Sequence, residues 1–130
     1  MKKLALILSV LALVFSLAGC SDAVKVGGFS SMILDSEDYD AAVEEVQLAF
    51  QEFEGCKMKE IGYAGDQAVK DEAEVRGLAP EQVIVLKSTF TTDKEDHHNG
   101  LEPDYTYEDY LWILTRGTSA DLWEVIDHGY

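Results

Sequence analysis

The chain has 130 residues, of which 25 are acidic and 10 basic, giving a formal charge of −15 at pH 7. That length suits one domain with a core of its own. The charge repels polyanions, so the reading excludes nucleic acid as a partner and expects the body of the domain to stand off anionic head groups.

Lys2 and Lys3 form a short positive start, and Leu4 to Leu17 is an apolar run broken only by Ser9 and Ser16. A membrane-spanning helix needs roughly 20 apolar residues, so this shorter run reads as an export signal. It ends in Leu17-Ala18-Gly19-Cys20, which resembles the lipobox of bacterial lipoproteins. The resemblance implies that residues 1–19 are removed, that the Cys20 thiol receives a diacylglyceryl group, and that the protein sits on the extracytoplasmic side of the cell membrane. Each buried methylene contributes about 0.8 kcal/mol, and two or more acyl chains hold stably. The remaining 111 residues carry 8 basic and 25 acidic side chains, a formal charge of −17. With Cys20 acylated, Cys56 has no cysteine to pair with, and its position between a helix and a strand favours burial.

From Ser21 to Ser31 the serines and Gly27-Gly28 read as a tether, so residues 20–34 are assigned to the lipidated cysteine and its linker and 35–130 to a single domain. Met32 to Leu34 are apolar enough to dock on that domain. Asp35 and Ser36 are candidate caps for a helix in which Tyr39, Ala42, Val43, Val46, Ala49, Phe50 and Phe53 recur at helical spacing. Its other face carries Glu37, Asp38, Asp40, Glu44, Glu45, Glu52 and Glu54 with no basic residue, so neighbours such as Asp40 and Glu44 repel. Gly55 ends it. Cys56 to Tyr63 reads as a strand. Asp66 starts a second, polar and peripheral helix to about Arg76, supported by Lys70 with Glu74 and stopped by Gly77 and Pro80. Val83-Ile84-Val85-Leu86 opens a long strand that runs through Thr92, followed by strands over Tyr105 to Arg116 and Leu122 to Tyr130. The short Gly117 to Asp121 loop makes the last two a hairpin. These elements predict an α+β domain in the order α-β-α-β-β-β, with one long amphipathic helix packed on a curved, mostly antiparallel four-stranded sheet.

Phe53-Glu54-Gly55-Cys56, Tyr110-Leu111-Trp112-Ile113-Leu114, Trp123-Glu124-Val125 and the final Gly129-Tyr130 resemble an uncharacterised family of small Gram-positive bacterial lipoproteins. Such proteins are similar in design to the cystatin-like, nuclear transport factor two-like superfamily. The resemblance implies a sheet wrapped around the long helix with a conical cavity. It carries over no catalytic motif, and the superfamily hosts isomerases, dehydratases and binding domains alike.

Three groups of residues bear on function. The loop from Thr92 to Asp104 is rich in oxygen and imidazole groups, Glu95, Asn99, Glu102 and Asp104 among them, and offers Asp93, Asp96, His97 and His98 as the candidate metal ligands. An EF-hand spacing fails there, because positions five and six counted from Asp93 are histidines, and adjacent His97 and His98 diverge in an extended chain. In the last strand, period-two geometry puts Glu124, Ile126, His128 and Tyr130 on one face and Trp123, Val125 and Asp127 on the other. His128 and Tyr130, with Tyr105 and Tyr107 at a pocket edge, are therefore candidate ligand-binding residues, although aromatic residues at strand spacing also suit a core. No nucleophile elbow or phosphate-cradling glycine loop occurs, so no catalytic residue and no cofactor are assigned. The expected function is a membrane-anchored, non-catalytic domain that binds a protein or small molecule. Two other readings stand beside it: a small pocket enzyme, and cation binding by the His97-His98 loop.

Overall fold

A computed structural model describes residues 23–130, so the lipobox and Cys20 lie outside the described residues. In chain order the elements are β1 (Lys25–Val26), α1 (Ser36–Phe50), β2 (Cys56–Tyr63), α2 (Asp66–Arg76), a single 3-10 turn (Pro80–Gln82), β3 (Val83–Thr92), β4 (Thr106–Thr115) and β5 (Glu124–Gly129). The strands lie side by side in sequence order, with β1 parallel to β2 and every other pair antiparallel.

The expected fold class is thereby corrected. The sheet has five strands and is mixed, and in place of one long helix there are two short ones of 15 and 11 residues. Two physical causes account for the difference. The apolar stripe runs on to Phe53, but the helix stops at Phe50 and the next residues turn, their N–H groups bonding back three residues to Leu48, Ala49 and Phe50. Phe53 stays on the core without being helical. The extra strand is only two residues long, too short to show an alternating pattern. Its parallel pairing is set by register with Glu60 and Ile61 and extended by the Gly27 N–H to the Ile61 carbonyl, 2.9 Å.

The stretch read as a tether is therefore part of the fold from Lys25 onward. Phe29 stacks on Tyr39 with ring centroids 4.7 Å apart, and the Tyr39 hydroxyl donates to the Gly27 carbonyl. Asp66 accepts from the Ser31 hydroxyl, from the Met32 N–H and from the Tyr63 hydroxyl. Those bonds, the Met32 N–H foremost, hold the Asp66 carboxyl below its usual range, while burial and then Asp66 push Tyr63 up to about 12.

Asp35 and Asp38 begin α1 as a reciprocal capping box, the Asp38 N–H donating to Asp35 and the Asp35 N–H to Asp38. The inward face of α1 buries Tyr39, Ala42, Val43, Val46 and Phe50. Phe50 and Phe53 meet Phe90 and Trp112, placing α1 on the sheet face that also carries Ile84, Leu86 and Leu114. α2 buries Val69 and Ala73 and reaches the opposite face, where Arg76 lies 3.6 Å from Asp127, the partner of Ile113. Covering on both sides explains why Val83, Ile84, Val85 and Leu86 are all buried. Gly77 closes α2 in the left-handed conformation.

The start of α1 is fastened to the far end of the sheet. Arg116 Nη1 is 2.7 Å from Asp38 Oδ1, its Nε donates to the Glu81 carbonyl, and its guanidinium lies 4.1 Å from the centre of the Trp123 ring. Trp123 Nε1 donates to the Asp38 carbonyl.

Candidate functional site

Antiparallel pairing of β4 with β5 sets Trp112 opposite His128 and brings the aromatic residues of both strands together. Tyr105 and Tyr107 are 4.8 Å apart, Tyr107 and Tyr130 6.0 Å, and Tyr130 and Tyr110 5.7 Å. Tyr110 then stacks on His128 at 5.8 Å, and the imidazole continues onto Trp112 and Phe53. All four residues assigned to ligand binding, Tyr105, Tyr107, His128 and Tyr130, thus lie on one terrace, joined by Tyr110. The outer rings are open: Tyr105 is 51% and Tyr130 76% exposed. His128 Nδ1 and the Tyr110 hydroxyl are 2.8 Å apart. Burial foremost, then the neighbouring Tyr107 and Tyr130, raises the Tyr110 pKa, so its hydroxyl stays protonated at neutral pH.

Strict alternation along β5 does not hold. The register shifts between Ile113 and Leu114, so Asp127 faces Ile113 while Val125, two residues earlier, faces Leu114. The bulge returns Val125 to the same side as His128, a departure invisible to period-two counting. Between α1 and the sheet, Phe50 and Phe53 meet each other and pack against both Phe90 and Trp112.

The β3–β4 loop divides the four metal candidates into two pairs. His97 Nε2 is 3.0 Å from Asp93 Oδ1, with Glu95 close enough that one ligand atom from each of the three lies within 4.8 Å of the others. His98 faces away toward Asp96, 3.7 Å distant, and its side chain is 86% exposed. Asp93, Glu95 and His97 are the residues that could hold a cation. Glu95, one of the loop's oxygen ligands but outside the four candidates, joins Asp93 and His97 here. The hydrogen bond to Asp93 foremost, against burial and with the charges of Asp93, Glu95 and Glu54, raises the His97 pKa. Asp93 already holds the His97 ring at 3.0 Å, so the arrangement works first as an internal contact that folds the loop.

Gly55 sits against that pair. A Cβ added there would come within 2.3 Å of His97 Nε2, and the residue has φ +71°. Gly55→Ala is expected to destabilise by about 1–2 kcal/mol through the left-handed backbone alone, and to displace His97. Urea unfolding checks the first effect. Loss of the raised His97 pKa, followed by NMR titration of its ring protons, checks the second.

Cys56 is half-buried, and burial followed by the charge of Asp93 raises its pKa, keeping the thiol protonated and poorly nucleophilic at neutral pH. A second surface that sequence reading did not find is a crevice of 280 Å³ between α1 and the β4–β5 loop, lined by Glu37, Glu44, Glu45, Asp121, Leu122 and Trp123 among others. Arg116 lines it too, but its charge is taken by Asp38.

Comparison of the chain with protein-family models, with curated proteins and with solved structures found no match. The chemistry of the site must therefore be argued from its own side chains. The terrace offers the π faces of its tyrosines and one imidazole. Such a surface stacks planar or cationic groups, and it lies at the sheet edge opposite β1.

Proposed function

We propose that the protein is a lipid-anchored, extracytoplasmic binding domain without chemistry of its own, which holds a partner with cationic and planar groups on the β4–β5 terrace. The observation that carries this reading is the unbroken run of rings from Tyr105 through Tyr107, Tyr130 and Tyr110 to His128, with its outer members open to solvent. Exposed tyrosines supply large contact area at low conformational cost, and the strongly negative chain favours cationic partners. Leu17-Ala18-Gly19-Cys20 supports the anchor and the side of the membrane.

The test is native mass spectrometry of the protein purified from its own membrane in detergent. The wild-type chain is expected to retain a bound species that the Tyr105→Ala/Tyr130→Ala double variant loses at unchanged thermal midpoint. Identical adducts on both proteins would overturn the terrace as the binding surface. Turnover of the retained species that disappears in His128→Ala would overturn the non-catalytic reading.

A further inference from the structure

The outward half of the sheet has a different charge from the rest of the molecule. α2 covers only the end of that face near Val83, Val85 and Ile113. Beyond it, Met58 and Ile61 point to the core, so Lys57, Glu60 and Gly62 face away from α1, paired with Thr91, Thr89 and Lys87. Lys25 sits beside Glu60 on β1. Lys59, also exposed, occupies the bulge in β2. Four of the eight basic residues that follow Cys20 are therefore on β1, β2 and β3, against the two carboxylates of Glu60 and Asp109. Among the described residues, Lys25, Lys59 and Lys87 form no ion pair. Lys25 and Lys87, with Glu60 and Asp109, line a cleft of 140 Å³ whose floor is open because Gly27 and Gly62 carry no side chains.

The β1 edge of this face is also the part of the domain nearest the proposed anchor. Lys25 follows Cys20 by five residues, and covalent geometry limits five residues to about 18 Å whatever their conformation. A domain of this size has a radius of gyration of about 13 Å, so an attachment so short keeps the β1 edge next to the head groups. The acids on the outer face of α1 lie a sheet and a helix further away. That is beyond the Debye length of about 8 Å at physiological salt, so their repulsion is screened at the membrane while the lysines are within reach.

We propose that the lysine-bearing half-face of β1, β2 and β3 docks on the anionic phospholipid head groups of the membrane that holds Cys20, with lipid phosphate meeting Lys25 and Lys87 at the glycine-floored cleft. The docking rests on the Cys20 anchor. It overrides, locally, the repulsion expected from net charge, and it points the β4–β5 edge away from the bilayer.

The lipidated chain is purified in detergent and reconstituted into vesicles of phosphatidylcholine alone or mixed with phosphatidylglycerol. Its lysines are then acylated under limiting reagent and read by mass spectrometry, with Lys70 on α2 and Lys94 in the β3–β4 loop as internal references. Lys25 and Lys87 are expected to react about fivefold more slowly in the phosphatidylglycerol vesicles than in the neutral ones, and high salt should abolish the difference. Lys87→Glu, at unchanged thermal midpoint, should remove the protection of Lys25. Equal rates in both vesicles overturn the docking, as does protection by soluble polyphosphate on neutral vesicles without any by phosphatidylglycerol. A mature chain whose mass lacks diacylglycerol at Cys20 overturns the anchor and the docking together, whereas a lipidated chain with equal rates overturns the docking alone.

Discussion

Arg116→Ala is expected to destabilise the domain by roughly 3–5 kcal/mol at neutral pH, the range for removing one member of a buried ion pair. The Arg116 side chain is only 4% exposed and that of Asp38 18%. One guanidinium serves three groups that would otherwise be poorly matched: the Asp38 carboxylate, the Glu81 carbonyl and the face of Trp123. Truncation leaves the carboxylate largely enclosed without its cation, at the point where α1 begins and where the capping box also depends on Asp38. Arg116→Lys keeps the charge but loses the fork and the planar stacking, so it should fall between wild type and Ala.

The pH dependence separates the ion pair from simple packing. Burial pushes the Asp38 carboxyl up, but the Arg116 hydrogen bond, the Asp35 backbone and the guanidinium charge outweigh it and hold the pKa below the ordinary 3.8. A carboxyl with a depressed folded pKa adds stability that is complete above its unfolded pKa and is lost as pH falls through the folded value. In Arg116→Ala both contributions of the guanidinium are lost and only the Asp35 hydrogen bonds still oppose the upward push of burial, so Asp38 protonates more readily than in the wild type and the cost of its isolation fades in acid. Urea unfolding of both proteins at about pH 7 and about pH 3 should therefore show a smaller difference at the lower pH. An equal difference at both would assign the loss to Trp123 packing instead.

Local chemistry was legible where one residue type decides the outcome. Asp35 caps α1, Gly77 ends α2, and the dense Val83 to Leu86 run is a strand. Elements set by distant partners were not. Lys25-Val26 has no strand pattern of its own and joins the sheet only because Ile61 offers its backbone. α2 looked peripheral because it is polar on average, yet Val69 and Ala73 are the two small apolar groups that let it lie on the sheet. The helical pairs it forms are Gln67 with Asp71 and Glu72 with Arg76, not Lys70 with Glu74. At the site, the tyrosines could be grouped from the sequence because two consecutive strands must pair. The bulge that places Val125 with His128 and the Arg116 contact with Asp38 across 78 positions leave no local signal.

Trp112→Ala is expected to cost about 3–5 kcal/mol, as deletion of a fully buried large aromatic residue does, because its ring joins Phe50 and Phe53 of the α1 side to Tyr110 and His128 of the terrace. A finer experiment distinguishes its shape from its one polar atom. Trp112 Nε1 donates to the Ser88 hydroxyl at 2.9 Å, and Ser88 in turn donates to the Tyr110 carbonyl at 3.3 Å, all within buried residues. Ser88→Ala leaves the indole N–H enclosed without an acceptor, a loss of about 1–3 kcal/mol. Trp112→Phe removes the donor, so adding Ser88→Ala to it should cost much less than Ser88→Ala costs alone. Thermal or urea unfolding of the four proteins measures the coupling. Strict additivity would mean that the hydroxyl acts through Tyr110 rather than through the indole. In that event Ser88→Ala should also disturb the Tyr110–His128 contact, seen as displaced His128 ring-proton resonances in NMR spectra, and the buried hydrogen bond would be a support of the terrace more than of the core.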